Sequence, residues 1–296
     1  MPTVTANGLE LYYEVRGAPS GVPLLLIHGH GAQVVSWHEA LIDAFVERGF
    51  RPIVFDNRDA GLSTHLDQLP EPDAFAIAFG DLTTRPYAME DMADDAASLL
   101  GALGIEAAHV FGVSMGGMIA QAFAIRHPGA TRSLTSVMSS PDPVHVGLPT
   151  PEELEHMLEP GATTRQGVID QAIASWRRTG SPSLGIDEAW VVRTTGLAFD
   201  RSFDPGGVLR QFAALVGSPD RRPGLGGVRV PTLVVHGTID PIVTPEGGEA
   251  TAAAVPGARL LMIDDMGHDL PLVVWPRVLD AVCAVTGVGA ASGARP

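Results

Sequence analysis

The sequence has no lysine: all 19 of its basic residues are arginine, set against 34 acidic ones. That absence removes several function classes at once, because Schiff-base catalysis, pyridoxal phosphate anchoring and the Walker A phosphate loop each need a lysine amine. The net charge of −15 argues against nucleic-acid binding, which needs a basic surface to displace counterions from phosphate. It equally disfavours docking on anionic membranes. Cysteine is nearly absent too. Cys283 stands alone, so no internal disulfide can form, and its apolar surroundings in 278–285 mark it as a small packing residue rather than a reactive thiol. No apolar stretch approaches the roughly 18 residues that span a bilayer. The first residues carry neither the basic start nor the apolar centre of a secretory signal, so a cytoplasmic location is expected.

What is present suits a globular chain with a sizeable core: 45% of the 296 residues are hydrophobic, enough for one large domain or a core with an insertion. Asn7-Gly8 between two alternating runs predicts a two-residue hairpin. Pro23–Ile27 is apolar without alternation, as a parallel strand covered on both faces requires. Further strands are expected at Arg51–Phe55, Ala107–Phe111, Ser133–Met138, Thr232–His236 and Arg259–Ile263. Helical spacing fills most of the gaps, clearest from Met89 to Leu103. Strands alternating with helices imply right-handed crossovers and a mostly parallel sheet.

Residues 141–227 break the rhythm, with helical signals and no convincing strand. Thr150-Pro-Glu-Glu153 opens one helix as a capping box, and Met157, Trp176, Trp190, Phe199, Phe203 and Phe212 are spread along the stretch. The expected organisation is a core domain of 1–140 and 228–288, a helical cap of 141–227 inserted between core strands, and a flexible tail of 289–296.

Gly112-Val-Ser-Met-Gly116 lies between a strand and a helix, the context that gives G-x-S-x-G its meaning. The glycines let the turn be tight enough to lift Ser114 Oγ above the sheet edge, next to the positive end of the following helix. A serine hydroxyl needs a general base. Among ten histidines, His268 lies in the loop after the last core strand, where the chain returns to the same edge. His236, ending an apolar strand, reads as structural. A carboxylate must orient the base; Asp240 follows the preceding strand and fits that place, with Asp142, one strand earlier, as the alternative. Asp264, Asp265 and Asp269 lie too near His268 in sequence to orient it. Oxyanion donors are expected from the backbone N–H of Met115 and, across the crevice, from His30 in His28-Gly-His-Gly31. A rival reading makes His28 and His30 metal ligands, but no third ligand follows at short spacing.

Together with Asp56-Asn-Arg-Asp-Ala-Gly-Leu-Ser63, these motifs resemble an α/β-hydrolase along nearly the whole chain. The Asn57–Ser63 stretch is similar to that of the branch containing aclacinomycin methylesterase, which removes a methyl ester from an aromatic polyketide glycoside. In this stretch Asp59 and Gly61 read as loop architecture. The resemblance implies a Ser114–His268–Asp240 triad cleaving an ester through an acyl-enzyme, with no cofactor and no metal. Its substrate would be a small-molecule ester, its state a monomer or homodimer. Trp37, Phe79 and Trp190 are candidate substrate contacts, and the loop of 66–86, with Phe75 and Phe79, is expected to help roof the site unless those rings simply pack. A lactonase, perhydrolase, C–C bond hydrolase or acyltransferase could use the same triad, and a small-molecule receptor could be built on it.

Overall fold

The computed structural model describes residues 2–157 and 159–289. Among these, the strands β1 (Thr3–Ala6), β2 (Leu9–Val15), β3 (Val22–Ile27), β4 (Phe50–Phe55), β5 (Ala108–Val113), β6 (Thr131–Val137), β7 (Thr232–Gly237) and β8 (Arg259–Ile263) form one sheet. Its order is β1-β2-β4-β3-β5-β6-β7-β8, antiparallel from β1 to β4 and parallel onward. The hairpin is as the Asn-Gly pair predicts: Asn7 and Gly8 both take positive φ, 51° and 77°, which matches the strand twist. β5 runs two residues past the expected Phe111, because Gly112 and Val113 keep pairing with Ser136 and Val137 of β6. The expected tail lies, beyond Gly289, outside the described residues.

The helices are α1 (Glu39–Glu47), α2 (Ala74–Ala78), α3 (Met89–Ala102), α4 (Met115–Arg126), α5 (Pro151–Met157), α6 (Arg165–Thr179), α7 (Glu188–Arg201), α8 (Pro205–Val216), α9 (Arg222–Leu225), α10 (Pro245–Ala254) and α11 (Trp275–Thr286). The apolar run of β3 explains the layering. Leu25 and Ile27 enter the core under α3 and α4, while Leu24 and Leu26 enter the opposite core under α1 and α11. Both faces of the strand are thus dry, which is why its sequence does not alternate. Between β6 and β7 the chain forms α5 to α9 and, among the described residues, no strand. Glu153 N–H donates to Thr150 Oγ1 at 3.2 Å, the cap that starts α5. No helix among the described residues is long and apolar enough to cross a membrane.

The Asp56–Ser63 stretch is architecture, as expected of Asp59 and Gly61. Asp56 accepts the N–H of Val34 at 2.7 Å and of Leu62 at 2.9 Å, tying the loop after β4 to the loop after β3. Gly61 has φ 59°, and a Cβ there would lie 2.2 Å from the Asp56 carboxylate. Arg58 grips Asp95 of α3 through two hydrogen bonds of 2.6 and 2.7 Å, with both side chains under 10% exposed. Removing one partner of a buried pair leaves an uncompensated charge and typically costs about 3–5 kcal/mol. Asp95→Asn should therefore lower the unfolding free energy by about that amount in urea titration, whereas Asp200→Asn, which breaks the solvent-exposed pair with Arg165, should leave the midpoint unchanged.

Candidate active site

Strands β3 and β5 run side by side with Ile27 opposite Gly112, while the chain next proceeds to β4 on one side and to β6 on the other. The two loops leaving their C-terminal ends therefore part and open a crevice at that edge. Ser114 sits there at φ 55° and ψ −124°, a conformation that costs a residue with a Cβ on the order of 1–3 kcal/mol. Its neighbours leave it no alternative. A Cβ on Gly112 would lie 2.0 Å from Gly116 O, and one on Gly116 2.1 Å from Ile27 O. β5, the turn, α4 and β3 are in backbone-to-backbone contact.

The turn presents Ser114 Oγ to His268 Nε2 at 2.9 Å, and His268 Nδ1 meets Asp240 Oδ2 at 2.7 Å. An ionised carboxylate only accepts, so Nδ1 carries the proton and Nε2 is left free to take the one on Ser114. Asp240 is fully buried at its side chain, and its other oxygen accepts the N–H groups of Ile242 and Val243 at 2.9 and 3.0 Å. These bonds fix the carboxylate's rotamer. His236 is structural as expected: buried, with Nε2 donating to Val243 O at 2.8 Å, and burial lowers its pKa. Asp142 is elsewhere, paired with His145 at 2.9 Å and Arg222 at 3.3 Å. Asp269 also stays off the imidazole; it bonds Ser181.

Across the crevice lies the loop of 28–33. A Cβ on Gly29 would come within 3.2 Å of Ser114 Cβ, so the loop passes close beside Ser114. Among the described residues the N–H groups of His30 and Met115 donate to no other protein group. Desolvation by the surrounding protein lowers the pKa of both His28 and His30, that of His28 to about 4. Their ring nitrogens donate to different carbonyls, Ser36 O at 3.2 Å and Val208 O at 2.8 Å. The cluster of possible metal ligands found among the described residues is Asp59, His65 and Asp204, with the Arg210 guanidinium already bonded to both aspartates; it includes neither histidine of the loop.

A cavity of about 1190 Å³ opens on Ser114 and His268. Trp37 and Trp190 line it, and so do Met157, Trp176, Phe199, Phe203 and Phe212 from between β6 and β7. Phe79 does not. No residue of 66–86 lines the cavity, and Phe75 and Phe79 are 76% and 79% exposed, tilted against each other. The reason is α2, a single turn that buries Ile77 against Gly217 after α8 and so points the flanking phenylalanines outward. Sequence reading missed His38 and Trp275, which line the wall beside Trp190. It also missed the polar bolts described next, for which isolated Gln and Arg residues give no signal. Gln33 donates to Ala198 O and Ser202 O of α7 and its cap, both at 2.9 Å. Gln211 of α8 accepts Gly31 N–H at 2.8 Å and donates to Arg58 O at 2.6 Å.

Fold and site define a hydrolase of the α/β type. The family model for the alpha/beta hydrolase fold matches residues 22–273, and the chain belongs to that family. Among its relatives it is 28% identical to rhodomycin D methylesterase DnrP of Streptomyces peucetius, over 97% of this chain and 98% of that protein. It is 26% identical to the putative non-heme bromoperoxidase BpoC of Mycobacterium tuberculosis, over 88% and 91% of the two chains. Among solved structures, the enol-lactonase from Burkholderia xenovorans LB400 superposes with a TM-score of 0.70 at 26% identity, covering 96% of this chain and 97% of that one.

The crowding at the serine turn predicts a contrast between two glycines. Gly116→Ala should cost several kilocalories per mole or abolish soluble expression, since its Cβ would meet backbone that cannot yield. Gly101→Ala, in open space on α3, should raise stability by about 1 kcal/mol. Thermal melts of the two variants separate the outcomes.

Proposed function

We propose that the enzyme hydrolyses a carboxylic ester, with Ser114 as nucleophile, His268 as general base and then general acid, and Asp240 as the carboxylate that orients it. The observation carrying this reading is the unbroken relay from Ser114 Oγ through both nitrogens of His268 to Asp240, at 2.9 and 2.7 Å, opening on a large cavity. His268 takes the Ser114 proton as Oγ attacks the ester carbonyl, and the N–H groups of His30 and Met115 receive the oxyanion, each worth about 3–4 kcal/mol. The imidazolium returns its proton to the leaving alcohol, giving an acyl-enzyme. Water, deprotonated by the same imidazole, then releases the acid.

Residues 141–227 act as the cap that supplies the pocket's aromatic lining. A cavity of about 1190 Å³ walled by tryptophan and phenylalanine suits a bulky, flat, apolar acyl group better than a short aliphatic one. The methylesterase relative supports the same direction.

The test uses a short-chain aryl ester and a fluorophosphonate. The chain should hydrolyse the first and gain the mass of the second on one peptide, that containing Ser114; labelling elsewhere, or undiminished turnover by Ser114→Ala, would sink the reading. Asp240→Asn should lower kcat by roughly 10³–10⁴-fold by releasing the imidazole to the wrong tautomer. Asp142→Asn should leave kcat unchanged, and the opposite pattern would move the acid to Asp142.

A further inference from the structure

We propose that Ser181 and Asp269 form a clamp that fixes the His268 loop to the end of α6, which makes Asp269 a positioning residue for the general base. The proposal rests on the triad reading above and extends it. His268 lies on a loop, and Asp240 holds only its ring. Its backbone is held by the insertion. His268 N–H donates to Thr179 O at 2.7 Å, and Gly267 N–H donates to Ser181 Oγ at 2.9 Å. Ser181 in turn donates its hydroxyl to Asp269 Oδ1 and its N–H to Oδ2, the latter at 3.3 Å. The circuit therefore runs from residue 267 to residue 181 and back to residue 269, with His268 in the middle.

The packing leaves this circuit no slack. Ser181 is 0% and Asp269 4% exposed. A Cβ on Gly267 would lie 2.3 Å from the carbonyl oxygens of both Thr179 and Gly180, and one on Gly180 would lie 3.1 Å from Asp269 Oδ2. A buried carboxylate is costly unless its oxygens are satisfied, and burial raises the pKa of Asp269. Here it accepts both donors of Ser181. His236 stands behind Asp240 at 3.6 Å. Because α6 also lines the cavity through Ser175 and Trp176, whatever displaces α6 displaces the base with it.

The test uses the full chain, p-nitrophenyl acetate as substrate, and active sites counted by fluorophosphonate adduct at Ser114. Ser181→Ala removes the hydroxyl that links the two segments. Asp269→Asn keeps the shape and removes the charge. Per titrated site, each should lose about tenfold in kcat, within the range expected of a slightly misplaced catalytic group, with KM changed less than twofold. The double variant should fall little further than the weaker single one. Per-site kcat within twofold of the parent in both variants overturns the clamp, and so does activity lost only in proportion to lost titratable sites. A parent chain that neither labels at Ser114 nor turns over the ester overturns the triad reading itself, a result visible before any variant is made.

Discussion

The backbone at Ser114 is the constraint on which the rest of the site depends. A side chain at φ 55° and ψ −124° is held there by four elements that touch through their main chains, and that contact is possible only because Gly112, Gly116 and Gly29 have no side chain where they meet. The gain is geometric. The hydroxyl stands clear of the sheet, its own helix begins beneath it with a free N–H, and the loop after β3 passes close enough to supply a second. Strain of a few kilocalories is tolerable because the surrounding core, dry on both faces of β3 and β5, over-determines the position.

The second organising feature is electrostatic. Arg201 reaches Asp56 at 2.8 Å, and Arg210 reaches Asp59 at 2.7 Å. These arginines leave α7 and α8 and enter the loop after β4, so the insertion is attached to the core by buried charge pairs as well as by apolar contact. A forked guanidinium can serve several acceptors at once, which a lysine ammonium does with less directional control. In a chain with no lysine, every such junction has the forked donor.

Much of this was legible in the sequence, for reasons that differ by residue. The serine turn, His268 and Asp240 could be read because strand–turn–helix context and chain order constrain them independently of the pocket. Of the aromatic residues from α6 to α8, the sequence singles out Trp190 alone for the pocket; that Trp176, Phe199, Phe203 and Phe212 face the same cavity depends on how these helices pack. Phe79, expected in the pocket, points to solvent instead. Its direction depends on a five-residue helix whose only buried anchor is Ile77, and no periodicity exists in so short an element. His38 and Trp275 come from the N-cap of α1 and the start of α11, far apart in sequence, and only the assembled sheet brings them to one wall. Asp269 was set aside because of its proximity to His268. That reasoning is sound for the imidazole and silent about the backbone, where a neighbour in sequence is well placed to act.

The bolts on the loop of 28–33 divide the cavity wall into two kinds of surface. Along α7 and α8, the carbonyls of Ala198 and Val208 and the amide of Gln211 hold the loop of 28–33 that passes beside Ser114, so a change there reaches Ser114 as well as the pocket wall. Along α5, Leu154 and Met157 face the cavity as half-exposed apolar side chains, which form no hydrogen bond to the loop of 28–33 or to that of His268. Change of substrate preference by drift or by laboratory selection has an easy route through α5 and a narrow one through α8, where most replacements that reshape the pocket also disturb the machinery that works in it.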